Sequence, residues 1–254
     1  SELLKRGLAR VVEPDELGSA VQSQRELLEL TVEGLRMLAG YAGLSLAAAV
    51  RHHGLTGGGP GTPVGPRRAL LANLAHTLGA DAVFAAIARA ARTRRDGSLV
   101  EWRNAAACAH GRVRPDGYGL LRLGRREYGF FLEFDRGTVR PAALRAKFAA
   151  YHRYRASARA ARDYDGFPTI LVVTHGPGAE YRVADAILAT DGGQAAPLGV
   201  LLTTAELLAR VDGKLFGPIW RTPGHAARAC SWPPSGLAVR EAWAPTSGGK
   251  GLCG

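Results

Sequence analysis

The sequence predicts a mixed α/β fold, and three observations predict it. First, two strand-like runs flank Gly124 in the segment RVRPDGYGLLRLGRREYGFFLEFDRGT, Arg112 to Thr138. In the second run Phe130, Leu132 and Phe134 alternate with Phe131, Glu133 and Asp135, so the two sets point to opposite faces of a strand. Second, FPTILVVT, Phe167 to Thr174, is an uninterrupted apolar run of the kind buried on both faces of a sheet. Third, helical patterns precede and separate these strands, giving the order helix, three strands, helix, strand.

From the N-terminus, Leu3 to Val12 mixes a short helical pattern with the start of a strand, and RELLELT (25–31) reads as a second strand. Thr31 stands where it caps the helix VEGLRMLAGYAG, in which Leu35, Leu38 and Tyr41 recur at helical spacing. A further short helix begins after Ser45. Residues 1–53 therefore read either as the back half of a winged helix, its wing hairpin and following helices, or as a small helical adaptor. GLTGGGPGTPVGP (54–66) holds too many Gly and Pro residues for a regular element and is the expected linker. The second domain is expected over 67–223. It opens on a long amphipathic helix, 67–95, burying Leu70, Leu74, Leu78, Val83 and Ile87. A strand at 98–104 and the two carboxylate strands, 118–123 and 127–135, come next. Pro141 suits a helix's first turn and opens PAALRAKFAAYHRYRASARAAR. Leu198 to Thr203 is another buried strand, followed by the short helix TAELLAR. Trp102 and Trp220 are expected in the core. The tail, 224–254, rich in Gly, Pro and Ser, is expected to pack little.

Charge points to a partner. The chain of 254 residues carries a net +11, which favours a polyanion. Residues 1–64 are near neutral, with six Lys/Arg against seven Asp/Glu, whereas residues 65–162 hold twenty against seven. The positive charge thus surrounds the carboxylate strands, where a phosphate backbone would lie. Of the 33 basic residues 29 are Arg, and Ala and Gly abound, a bias that GC-rich coding also produces but that does not explain the uneven distribution. Cys108, Cys230 and Cys253 are too widely spaced for a zinc cluster or a disulfide framework, and His52 and His53 lack cysteine partners. No apolar run approaches the roughly 18 residues of a membrane span and no signal peptide is evident, so a cytoplasmic location is expected. The chain starts at Ser1 without Met, as a fragment of a longer protein would.

A hairpin through Gly124 brings Asp116 toward Glu133 and Asp135. Three converging carboxylates suit a hard divalent cation such as Mg²⁺, which prefers oxygen ligands and leaves positions for water and phosphate. The alternative is a solvated face on which Arg125, Arg126 and Arg136 neutralise the acids. Arg114 and Arg136 either clamp phosphates or offset the neighbouring carboxylates. Arg145, Arg153, Arg155 and Arg159, interleaved with Tyr151 and Tyr154, make a candidate surface for tracking a nucleic-acid backbone.

The strings RPDG, FFLEFDRGT, LRAKFAAYHRY and FPTILVVT resemble the replication-relaxation family of bacterial plasmids and integrative elements, and the element order resembles the PD-(D/E)XK nuclease core. LELTVEGLRMLAGYAGLSLAAA resembles the exit from that family's winged helix. The resemblance covers about residues 25–220 and implies a DNA-binding protein of plasmid replication or DNA relaxation, with replication or transfer proteins as further partners. It also implies that Asp116 is the first metal-binding acid and Glu133 the second. The nuclease pattern then calls for lysine two residues on, where this chain has Asp135. Either Asp135 serves as a further ligand, or Lys147 reaches in from the next helix; the other reading of Lys147 is a side chain snorkelling off an apolar face. Three functions follow: a Mg²⁺-dependent phosphodiesterase, a non-catalytic DNA-binding accessory protein with a degenerate nuclease fold, and a structural adaptor.

Overall fold

The computed structural model describes residues 2–11, 28–53, 64–157, 159–211, 214–228, 230–233 and 240–241. Near the N-terminus, helix α1 (Glu2–Lys5) leads into strand β1 (Ala9–Val11), which pairs antiparallel with β2 (Leu28–Leu30). Helix α2 (Val32–Tyr41) starts where its cap predicts: the Thr31 hydroxyl accepts the Gly34 N–H at 3.1 Å and donates to the Gly7 carbonyl. Its inner face is Gly34, Leu35 and Ala39, while Tyr41, at the end of the helix, is 93% exposed. Helix α3 (Leu46–His53) is capped by Ser45, whose hydroxyl accepts the Ala48 N–H.

The expected linker ends early. Helix α4 (Val64–Arg92) already includes residues 64–66, while 54–63 lie outside the described residues, as do the side chains of His52, His53, Leu70 and Leu74. Val83, Phe84 and Ile87 are buried on one stripe of α4, and Leu78 is half-buried.

A mixed sheet carries the site. Strands β3 (Gly97–Asn104), β4 (Gly117–Leu123) and β5 (Arg126–Asp135) run antiparallel, and β6 (Thr169–Thr174) and β7 (Val200–Thr204) continue it in parallel. A two-residue turn at Gly124 and Arg125 joins β4 to β5, with Gly124 at φ +61°, a region that favours glycine. Helices α5 (Pro141–Ala156), α6 (Arg159–Tyr164) and α7 (Pro177–Asp191) make the crossovers between the parallel strands, and α5 packs on α7. Two same-handed crossovers advancing in one direction place their helices on one face. That face buries Phe131, Tyr118, Ile170 and Val172 under Phe148, Tyr151 and Ile187. The other face buries Phe130, Leu132, Leu171 and Val173 under α4 and the chain beyond β7. Helix α8 (Ala205–Arg210) starts at Thr204, whose hydroxyl accepts the Leu207 N–H. Strand β8 (Arg240–Glu241) pairs with the start of β5.

Three further expectations are corrected. The single helix expected over 141–162 is two, because the Ser157 hydroxyl bonds the Tyr154 carbonyl and ends α5. Trp102 is 41% exposed, stacked on Phe84 at the sheet's edge strand, whereas Trp220 is fully buried as expected. The tail is not loose throughout: Trp232 is 1% exposed and packs among Phe130, Phe216 and Trp220. Residues 234–239 and 242–254, with Cys253, lie outside the described residues. Among the described residues no helix is long and apolar enough to cross a membrane.

Candidate functional site

The site forms where β4 begins and β5 ends. Asp116 precedes β4 and its N–H donates to the Leu132 carbonyl, continuing the ladder by one residue. Beyond that point, among the described residues, the Asp116 carboxylate takes the place of a main-chain partner on this side of β5: Oδ2 accepts the Phe134 N–H at 2.7 Å. Oδ1 lies 2.8 Å from His76 Nε2 of α4. That hydrogen bond holds the imidazole above its ordinary value, outweighing burial.

His76 was not legible as a site residue because it sits inside a long amphipathic helix, 40 positions from its partner. One signal was present. Gly79, one turn later, occupies the helix interior, where glycine is disfavoured. A Cβ there would stand about 2.1 Å from the Phe134 ring. Glycine thus lets α4 settle on Phe134 and brings His76 onto Asp116.

Glu133 leaves β5 on the α5 face and is 3% exposed. Helix α5 meets it with two donors one turn apart: Lys147 Nζ donates to Oε2 and the Tyr151 hydroxyl to Oε1. Burial pushes the Glu133 carboxyl up to about 7, although Lys147 pulls it down; the Asp116 charge adds to the rise. Burial lowers Lys147, but Glu133, Asp116 and Asp135 outweigh it and hold the ammonium above its ordinary value. Lys147 therefore reaches in from the helix, and the snorkelling alternative is set aside. Burial and the Glu133 charge push Tyr151 well up, so it is a donor throughout the physiological range.

Asp135 shares the Glu133 face by strand alternation and is 9% exposed. Its Oδ1 is buried with no hydrogen-bond partner among the described residues. Among those residues no three His, Cys, Asp or Glu side chains stand together at metal-holding spacing, so the expected cradle of Asp116, Glu133 and Asp135 is not assembled in this arrangement. Phe130 and Leu132 pack on the opposite face, as alternation predicts.

The candidate phosphate contacts separate. Arg114, Arg136, Arg145 and Arg153 are exposed. Tyr151 is fully buried with its hydroxyl on Glu133, which removes it as a stacking platform. Arg155 donates to the carbonyls of Ala196 and Pro197 and lies over the Phe167 ring, so it holds the approach to β7. Tyr154 is also buried, donating to Asp163. Cys108 is buried and its thiol is pushed up to about 12 by that burial, which makes it inert.

The family model described as replication-relaxation matches residues 2–170, two thirds of the chain and every residue of this site. No curated protein and no solved structure matches the chain.

Proposed function

The chain belongs to the replication-relaxation family, and from that premise we propose that it binds duplex DNA in plasmid replication or relaxation and carries a phosphodiesterase site of the PD-(D/E)XK kind. The observation that carries the catalytic reading is the Lys147–Glu133 bond. The nuclease pattern calls for a lysine at position 135, and an ammonium from α5 meets the second acid instead. The order α4, β3 to β5, α5 and α6, β6 supports this reading by its likeness to the helix, three strands, helix, strand order of the nuclease core, and α1, the β1–β2 pair and α2 are in keeping with the wing end of a winged helix.

The donor chemistry fits Mg²⁺, which is commonly held by one or two carboxylates with water and phosphate oxygens completing the shell. Asp116 and Glu133 would hold it; the Asp135 Oδ1, buried without a hydrogen-bond partner among the described residues, is a further oxygen on the Glu133 face of β5. When bound, the ion lowers the pKa of water and offsets charge on a phosphoryl oxygen. The chain's own groups do the rest. His76 and the Phe134 N–H fix both oxygens of Asp116. Tyr151 orients Glu133 through its bond to Oε1. Lys147 supplies a compact ammonium to offset charge that builds on a phosphodiester under attack. Arg114, Arg136, Arg145 and Arg153 supply backbone contacts that carry no sequence information.

The test is incubation of the purified protein with supercoiled plasmid and Mg²⁺ or Mn²⁺. Nicking is expected, lost on Asp116→Asn or Glu133→Gln with DNA affinity nearly intact, and slowed by Lys147→Ala. If the wild-type protein binds DNA but relaxes no plasmid, the non-catalytic accessory role takes the place of the catalytic one. That second reading is favoured by one observation: both oxygens of Asp116 and of Glu133 are already engaged by protein donors.

A further inference from the structure

An open cleft of about 500 Å³ runs along α5, lined by Arg112, Ala143, Ala146, Lys147, Ala150 and Arg153. The geometry points to this cleft as the seat of a nucleic-acid backbone, with Arg112 and Arg153 as its phosphate contacts and Lys147 as the point where it meets the carboxylates; this rests on the DNA-binding function proposed above. Three features of the cleft carry the inference.

The first is charge. Half of the lining residues are cationic and none is acidic, so the cleft attracts an anion along its length. Glu133, the carboxylate that the lining Lys147 bonds, is itself buried. The second is shape. Ala143, Ala146 and Ala150 recur at spacings of three and four, which sets them on one stripe of α5. Their methyl groups let a bulky chain approach the helix closely while the two arginines stand free beside it; both are exposed. From 143 to 153 the helix runs about 15 Å, over which one strand of B-DNA presents about four phosphates. The third is connectivity. Lys147 is 35% exposed on the cleft side and bonds Glu133 on the other, so a phosphate in the cleft lies next to the carboxylate pair. Arg112 comes from the loop before β4 and Arg153 from the far end of α5, so neither alone defines the path.

A second cleft, lined among others by Arg94 and Lys214, offers two cations away from the carboxylates and serves as the control. Fluorescence anisotropy of a labelled duplex is measured over a salt series without divalent ions, for wild type, Arg112→Ala/Arg153→Ala, Arg94→Ala/Lys214→Ala and Ala146→Trp. Removing one cation that neutralises a phosphate lowers the slope of log affinity against log salt by about 0.9, so the first double variant should lower it by about 1.8. Its affinity should then change about tenfold less than wild type between about 50 and about 200 mM salt. The second double variant should keep the wild-type slope. Ala146→Trp, which fills the cleft without changing charge, should weaken binding, and near-UV circular dichroism checks that it folds. A wild-type slope for Arg112→Ala/Arg153→Ala, or an equal reduction in both double variants, overturns the cleft and leaves DNA binding standing. Absence of wild-type binding at low salt overturns the DNA-binding function itself.

Discussion

Glu133 is a carboxyl with two side-chain donors and almost no water. Its rise from 4.5 to about 7 comes first from burial, and it fixes a direction for stability. A carboxyl raised in the folded state holds its proton more tightly there than in the unfolded chain. Its contribution is therefore fully present below about pH 4.5 and is lost as pH rises through about 7. The size is at most about 3 kcal/mol. His76, also raised, acts in the same sense, its contribution lost as pH climbs through its raised value. Urea unfolding should show lower stability at about pH 8 than at about pH 5, and Glu133→Gln should remove most of that difference. An undiminished difference in the variant would move its origin elsewhere in the molecule.

At the scale of elements, α4 is positioned by a missing side chain. Gly79→Val would drive a branched side chain into the Phe134 ring, an overpacking cost of about 1–3 kcal/mol. The helix would lift and His76 would leave Asp116, so the imidazole should return toward its ordinary pKa, readable by NMR titration. An unchanged His76 titration would show that its bond to Asp116 does not depend on Gly79. Helix α2 depends on its cap instead: Thr31→Ala should cost about 1 kcal/mol, because the hydroxyl both accepts the Gly34 N–H and donates to Gly7. The third case is the segment after β7. Trp232→Ala would open a cavity against Phe130 and Trp220 and cost about 3–5 kcal/mol, measured by the same unfolding experiment. A cost below about 1 kcal/mol would mean that the segment packs loosely in solution.

For the whole molecule, the family match ends at residue 170, two residues into β6. Strands β6 and β7 lie beside β5 in the same sheet, and Val172, Val173, Leu201 and Trp220 complete the two cores. Glu180 on α7 is buried between Arg221 and Arg228, which ties the segment 214–228 to the sheet's helical face. A fragment ending at residue 170 should therefore lose cooperative unfolding and near-UV circular dichroism. Two-state melting of that fragment would show that the matched region folds alone. Glu180→Gln in the full chain should destabilise it by several kcal/mol, since it leaves the buried Arg221 and the half-buried Arg228 poorly paired.

The sequence by itself determined what depends on near neighbours. Thr31, Ser45 and Thr204 cap helices that start where they stand, Gly124 turns the hairpin, and period two separates Phe130 and Leu132 from Phe131 and Glu133. That Asp116 comes to the end of β5 that carries Glu133 was legible for the same reason, because hairpin register is set by the turn. Tertiary packing decided the rest. Whether Lys147 snorkels or bonds Glu133 depends on the height at which α5 crosses the sheet, which no local pattern encodes. His76 meets Asp116 across 40 residues, and Trp232 enters the core from a stretch rich in Gly and Pro. Tyr151 and Arg155 lie on one basic helix, yet packing sends one to Glu133 and the other to the carbonyls before β7. Periodicity gives the face a side chain leaves by, and only the packed partner fixes what it meets there.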